Sequence, residues 1–288
     1  MKQVRRLYKL RQADRVASNS QREAEMEKRS ILDGARRSVR EALAGAMQMP
    51  DIGDLIESIK SNWSNEKARG KLNWHLRHVA LPKSTDTIRK VGHSPGSEVL
   101  LERQILGAFD GTECLWNQMP VASGLLKREE ASVKGREEPR RAVDLVYMPD
   151  KSVARYQLLE LKVARNKGRS DSFFAAAIEV IEYGLLYLFS RKYRDELGYS
   201  GNAYRILDAS RIDLRVIAPQ GYFDIADVRS ELNSFPFASV NDALKSYAPL
   251  VASNFQMDLG VEVISLSASN KVALKAAILE KKNITPVN

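Results

Sequence analysis

Hydrophobic and polar positions change their period along the chain, and the changes predict an order of elements. Over residues 1 to 48 the sequence is rich in Arg, Glu, Ala and Gln, has no proline, and spaces Ile31, Ala35, Val39 and Ala42 as on one helix face. A helical arm is expected there, broken by Pro50 and Gly53. "DLIESIKSNWS" and "GKLNWHLRHVAL" then predict two short helices, and the polar stretch Leu81 to Gly96 reads as a linker. From Ser97 the segment "SEVLLERQILGAF" sets Leu101, Ile105 and Phe109 on one face behind a Ser-Pro-Gly-Ser start, which predicts a helix capped by Ser97.

Alternation takes over next. "TECLWNQMPV" predicts a strand, and "AVDLVYM" and "VARYQLLELKV" predict two more, joined through "PDKS" as a hairpin. The stripe Phe174, Ile178, Ile181, Leu185 and Leu188 marks a helix, and "RIDLRVIAP" a strand closed by Pro219. "VEVISL" predicts a further strand, with helices around "VNDALKSY" and "KVALKAAILEKK". The reading is an α/β domain over 92 to 288, whose core runs helix, three strands, helix, strand, behind a mainly helical basic region over 1 to 91.

Composition narrows the picture. The chain has 288 residues, 44% hydrophobic and 28% charged, as expected for a globular protein with a sizeable core. The single cysteine, Cys114, rules out an intramolecular disulfide and a cysteine zinc site, and a reducing cytoplasmic setting is expected. The N-terminus lacks the apolar run of a secretory signal. The apolar run Phe173 to Phe189 is interrupted by Glu179 and Glu182, whereas a bilayer span needs roughly 20 largely uncharged residues, so a buried helix and no membrane partner are expected.

The net charge of +9 favours partners that carry phosphate. Residues 1 to 50 hold three Lys and nine Arg against two Asp and four Glu, a net +6, so most of the excess lies in the arm. Such an arm suits a nucleic-acid backbone or self-association into a homo-oligomer; a solvated face is the plainer alternative.

Charges inside otherwise apolar strands carry the chemistry. Asp144 sits within "AVDLVYM" and Glu160 within "LLELKV", where an unpaired carboxylate is expensive. Lys162 stands two residues after Glu160 and so projects from the same strand face. Asp144 and Glu160 on paired strands would repel unless a cation intervened, and hard oxygen ligands suit Mg²⁺ or Mn²⁺. A surface hairpin with a weak Glu160–Lys162 ion pair is the alternative. "KVARNKGRS" adds Arg165, Lys167 and Arg169, suited to phosphate contacts or to a solvated loop. His75 and His78 lie one helical turn apart without a third ligand, and Trp63, Trp74 and Trp116 suit a core as well as base stacking. No phosphate-binding loop, dinucleotide fingerprint or nucleophile elbow occurs.

"VDLVYMPDKSVARYQLLELK" resembles the Asp…Glu-x-Lys signature of the PD-(D/E)xK nuclease superfamily, the restriction-endonuclease-like fold, over about Ser97 to Pro219. The resemblance implies a divalent-metal-dependent nuclease, acting on DNA rather than RNA, in a restriction, defence or repair setting. It also implies that Asp144 and Glu160 hold the metal, that the Leu161 carbonyl is a further ligand, and that Lys162 helps activate the attacking water. Many members add a Glu from the first helix, for which Glu98 is the first choice and Glu102 the second. Some members carry a Gln and, one turn on, a Tyr on the following helix; Tyr183 matches the Tyr, Glu179 replaces the Gln, and Val143 replaces the signature proline. A non-catalytic module that keeps this fold for binding is the alternative.

Overall fold

In the computed structural model the described residues are 32, 34–45, 48–66, 74–76, 98–109, 114–121, 142–150, 152–164, 172–264 and 282–283. Two N-terminal helices, α1 (Ala35–Ala44) and α2 (Ile52–Glu66), precede α3 (Glu98–Phe109). Strands β1 (Leu115–Pro120), β2 (Ala142–Asp150) and β3 (Arg155–Leu161) follow, then α4 (Phe173–Lys192) and β4 (Arg211–Pro219). Helices α5 (Ala226–Ser234) and α6 (Phe237–Val251) lead to β5 (Gln256–Ile264), and β6 is the pair Lys282–Asn283.

The strands form one mixed sheet in sequence order, β1 to β6. The three strands β1, β2 and β3 pair antiparallel, with a short hairpin connection only between β2 and β3, whereas β3, β4 and β5 run parallel because helices cross over between them. The parallel strand β4 is buried along nearly its whole length, as expected when both faces are covered.

Helix α4 is the central packing element. Its run of Ala, Ile, Val, Leu, Tyr and Phe is buried almost without interruption, so apolar side chains point every way round the helix. Among the described residues it is the one helix long and apolar enough to cross a membrane by length and composition, and here those side chains lie inside the fold. Each fully buried Leu, Ile or Phe contributes roughly 1.5–3 kcal/mol. The N-terminus is fixed by Ser172, whose oxygen accepts from the Ala175 N–H at 3.4 Å, and by Glu231 of α5, which accepts from the Ser172 hydroxyl at 2.7 Å and the Phe174 N–H at 3.1 Å. Gly184 lets α4 lie close on the sheet, since a Cβ there would stand 2.6 Å from Leu214 Cδ1.

The sheet separates two apolar clusters. One contains α1, α2, α4 and α6 residues with Val146, Leu158, Leu214, Val216, Met257 and Leu259; the other gathers Leu101, Ile105 and Phe109 of α3 with Leu145, Leu159, Leu161 and Ile217. The first cluster takes in Ala35, Val39, Ile56 and Ile59, so the N-terminal helices share the core of α4. Arg36 of α1 places Nε 2.7 Å from Oε1 of the buried Glu182 on α4.

Several expectations change. Trp74 is a turn residue with φ of 61° and His75 and Leu76 are not helical, so the helix expected across 70 to 81 is not formed there. Trp74 is instead fully buried, donating its backbone N–H to the Pro120 carbonyl at 2.9 Å and its indole N–H to Ser190 Oγ at 2.7 Å. Trp116 is likewise buried, and Trp63 packs edge-on to Phe189. The strand expected from Val261 begins at Gln256, and Lys282, expected in a helix, pairs with Val263. Helix α5 had no counterpart in the sequence reading. His78, the Ser97 cap, most of the arm over 1 to 48, the linker at 81 to 96 and nearly all of the expected C-terminal helix lie outside the described residues.

Candidate active site

Asp144 and Glu160 come together because of strand register. Leu145 pairs with Leu159 and Val146 with Leu158, so one step further Asp144 and Glu160 stand opposite each other across the antiparallel strands. Like charges placed directly opposite destabilise a sheet. Their apolar neighbours Leu145, Leu159 and Leu161 all anchor in the cluster under α3, which leaves the register no freedom to move the two acids apart.

Each acid has a fixed partner. The Asp144 Oδ2 accepts the Leu161 backbone N–H at 3.0 Å. Glu160, 3% exposed, pairs through Oε1 with the Lys162 ammonium, and its Oε2 lies 3.2 Å from the Tyr183 hydroxyl. That hydroxyl is also 3.2 Å from the Ala142 carbonyl, so it can donate to either oxygen. Lys162 is 5% exposed, and its backbone N–H extends the parallel ladder to the Ile217 carbonyl at 3.0 Å. The ammonium also lies 3.8 Å from Glu98 Oε1 on α3 and 3.7 Å from Glu179 Oε2 on α4.

Three carboxylates, those of Glu98, Glu160 and Glu179, thus surround one ammonium, with Asp144 opposite Glu160 on the neighbouring strand. Burial, only partly offset by the Leu161 N–H and Lys162, pushes the Asp144 carboxyl up to about 7. Burial and then the Asp144 charge raise Glu160 well above the usual carboxylate range. Burial opposes the Lys162 charge, but Glu160 and Glu98 outweigh it and hold the ammonium protonated above its ordinary range. Burial, followed by the Glu160 charge, keeps the Tyr183 phenol protonated. The site therefore holds more acidic groups than its own lysine could balance if all of them were ionised.

Glu102, the alternative to Glu98, does not touch Lys162. It is buried against β1, accepting from Asn117 Nδ2 at 3.1 Å and Gln118 Nε2 at 3.2 Å, and burial raises its carboxyl. Gln118 has φ of 49°, a left-handed position in mid-strand that glycine would normally occupy. Asn117 and Gln118 were missed in the sequence, although two amides in the middle of "LWNQMP" are a signal of the same kind as Asp144 in "AVDLVYM". The structure brings Asp144, Glu160, Lys162, Glu98 and Tyr183 into one neighbourhood; Arg165, Lys167 and Arg169 lie outside the described residues.

Among the described residues no group of three or more His, Cys, Asp or Glu side chains is arranged to hold a metal ion. Glu98, Glu160 and Glu179 converge instead on the Lys162 ammonium. Comparison of the chain with protein-family models, curated proteins and solved structures finds no match.

Proposed function

We propose that the chain is a divalent-metal-dependent nuclease that hydrolyses phosphodiester bonds of DNA on a restriction-endonuclease-like core. The observation that carries this reading is the juxtaposition of Asp144 and Glu160 on adjacent strands, both held above the usual carboxylate range, with Lys162 beside them. Opposed acids without matching cations destabilise a sheet, and perturbed carboxylates beside a specific charge partner mark functional sites. The order α3, β1, β2, β3, α4, β4 supports the assignment of the core. The net charge of +9 supports a polyanionic substrate, and Arg165, Lys167 and Arg169 are proposed to contact its phosphates. A restriction, defence or repair role in the cytoplasm follows from the same reading.

Asp144, Glu160, Glu98 and the Leu161 carbonyl would hold Mg²⁺ or Mn²⁺. When bound, the ion supplies Lewis acidity toward a phosphoryl oxygen and toward water. The chain does the rest. Tyr183 fixes the orientation of Glu160 by hydrogen bonding, and the Leu161 N–H does the same for Asp144. Lys162, kept protonated, can donate to an attacking water or to charge growing on a phosphoryl oxygen.

The test is DNA cleavage by the purified chain with Mg²⁺ or Mn²⁺ and after chelation. Asp144→Asn, Glu160→Gln and Lys162→Ala should each lower cleavage by roughly a thousandfold, since groups acting as a unit fail together. Folded variants that cut as well as wild type would overturn the reading. A second reading, a non-catalytic binding module, draws on the closed Lys162–Glu160 pair, which occupies one carboxylate without any metal. It expects no cleavage with either ion and DNA affinity indifferent to all three substitutions.

A further inference from the structure

Helix α4 meets the end of β3 with two polar groups one turn apart, and each faces a different strand residue. Tyr183 reaches Glu160 at 3.2 Å, and Glu179 lies 3.7 Å from the Lys162 ammonium. The spacings match. Two residues along extended chain span roughly 6.6 Å and four along a helix roughly 6 Å, so the i, i+2 pair of Glu160 and Lys162, at and just past the end of β3, fits an i, i+4 pair on α4. The helix therefore offers a hydrogen-bond donor to the acid and an acid to the base.

This complementarity has a consequence for Lys162. Its ammonium sits on Glu160 and at the same time within reach of Glu179, whose side chain is 38% exposed and pairs with no other cation among the described residues. We propose that Glu179 is the second seat of the Lys162 ammonium and a positioning residue: when a cation takes Glu160, the ammonium is released from that carboxylate but stays in the site, held on Glu179. The inference rests on the reading of Asp144 and Glu160 as cation ligands. It accounts for an acid at this helix position, because a neutral amide would hold an ammonium less strongly than a carboxylate. Glu98 could hold the ammonium as well, at 3.8 Å, but as a cation ligand it would be occupied in the same step.

The expected behaviour is a coupling between Glu179 and the cation that runs through Lys162. The experiment is calorimetric titration of the full chain with MnCl₂ for wild type, Glu179→Gln, Lys162→Gln and the double variant, with Lys162→Met in place of Lys162→Gln if the latter does not fold. Glu179→Gln should weaken Mn²⁺ binding about fivefold, at the low end of coupling between neighbouring sites, because the ammonium then competes for Glu160 undivided. In the Lys162→Gln background the same change should have no effect. An equal loss in both backgrounds would overturn the proposal by making Glu179 act on the cation directly, and no loss in either would overturn it as well. A wild-type chain that binds no Mn²⁺ would bring down the metal reading and this inference together, an outcome distinct from the other two.

Discussion

Two clusters of buried charge occupy the same sheet and are built on opposite terms. At the β2–β3 end, the carboxylates of Glu98, Glu160 and Glu179 share Lys162, and Asp144 stands opposite Glu160. On β3, β4 and β5, three arginines meet three acids: Arg155 and Arg211 each place a guanidinium nitrogen 2.6 Å from Asp213, Arg211 reaches Asp258 at 3.0 Å, and Arg215 reaches Asp258 at 2.9 Å and Glu262 at 3.2 Å. Arg215 also donates to the Leu214 and Asp258 carbonyls, at 2.8 and 3.2 Å, and its guanidinium lies over Gly260, where a Cβ would stand 3.3 Å away. Asp213 and Asp258 are cross-strand neighbours, as Asp144 and Glu160 are. The outcomes differ. Burial alone would raise Asp213, but its hydrogen bond with Asp258 and the surrounding arginines draw it down to about 2, while burial and then that hydrogen bond raise Asp258; at the β2–β3 end both acids are raised. Balance makes one acid pair part of the scaffold, and imbalance leaves the other short of positive charge. Opposed acids on neighbouring strands thus point to chemistry only when their counter-charges are missing.

The largest expected effect of breaking this contrast is on the balanced side. Arg215→Met should cost about 3–5 kcal/mol in urea unfolding, because it strands buried Glu262 and part of Asp258 without their cation. A loss under 1 kcal/mol would mean that the network contributes little to the fold.

The unbalanced side should respond in the opposite direction. Asp144 is raised from 3.8 to about 7, so between those values the folded chain binds a proton that the unfolded chain has released. Its effect is therefore a stability that falls as pH rises from about 4 to about 7 and then levels, by at most roughly 4 kcal/mol. Asp144→Asn should stabilise the metal-free chain at pH 8, by about 1–4 kcal/mol, and hardly at all at pH 4. Equal unfolding midpoints for variant and wild type at both pH values would remove the claim that the site is strained by charge.

The smallest effect sharpens the comparison at the edge of the site. Arg36→Ala removes the cation beside the buried Glu182, one residue from Tyr183, and should cost about 1–3 kcal/mol. If α1 were a detachable arm, the unfolding midpoint would not move.

Much of the secondary structure could be read in advance because local pattern decides it. The span Arg211 to Pro219 is bounded by a proline and filled with β-branched and apolar residues, and it forms one strand with those limits. The stripe from Phe174 to Leu188 likewise lies in α4. The expected helix through Trp74 failed because that residue is held by Pro120 and Ser190, partners distant in sequence, in a left-handed turn that propensity does not anticipate.

For the candidate site, the sequence by itself determined that Asp144 and Glu160 would lie within apolar strands, with Lys162 just past the end of the second, and that a hairpin would pair those strands, since alternation and the turn at "PDKS" are local. Only the tertiary structure decided which groups answer them. That Glu98 reaches Lys162 while Glu102 is held by Asn117 and Gln118 depends on how α3 rotates over β1. That Glu179 and Tyr183 address Lys162 and Glu160 depends on the close seating of α4, which Gly184 permits. The balance at Asp213 likewise depends on the parallel register of β4 with β3 and β5. Charge balance is a sum over neighbours from several strands and helices, and a one-dimensional pattern contains the charges but not their distances.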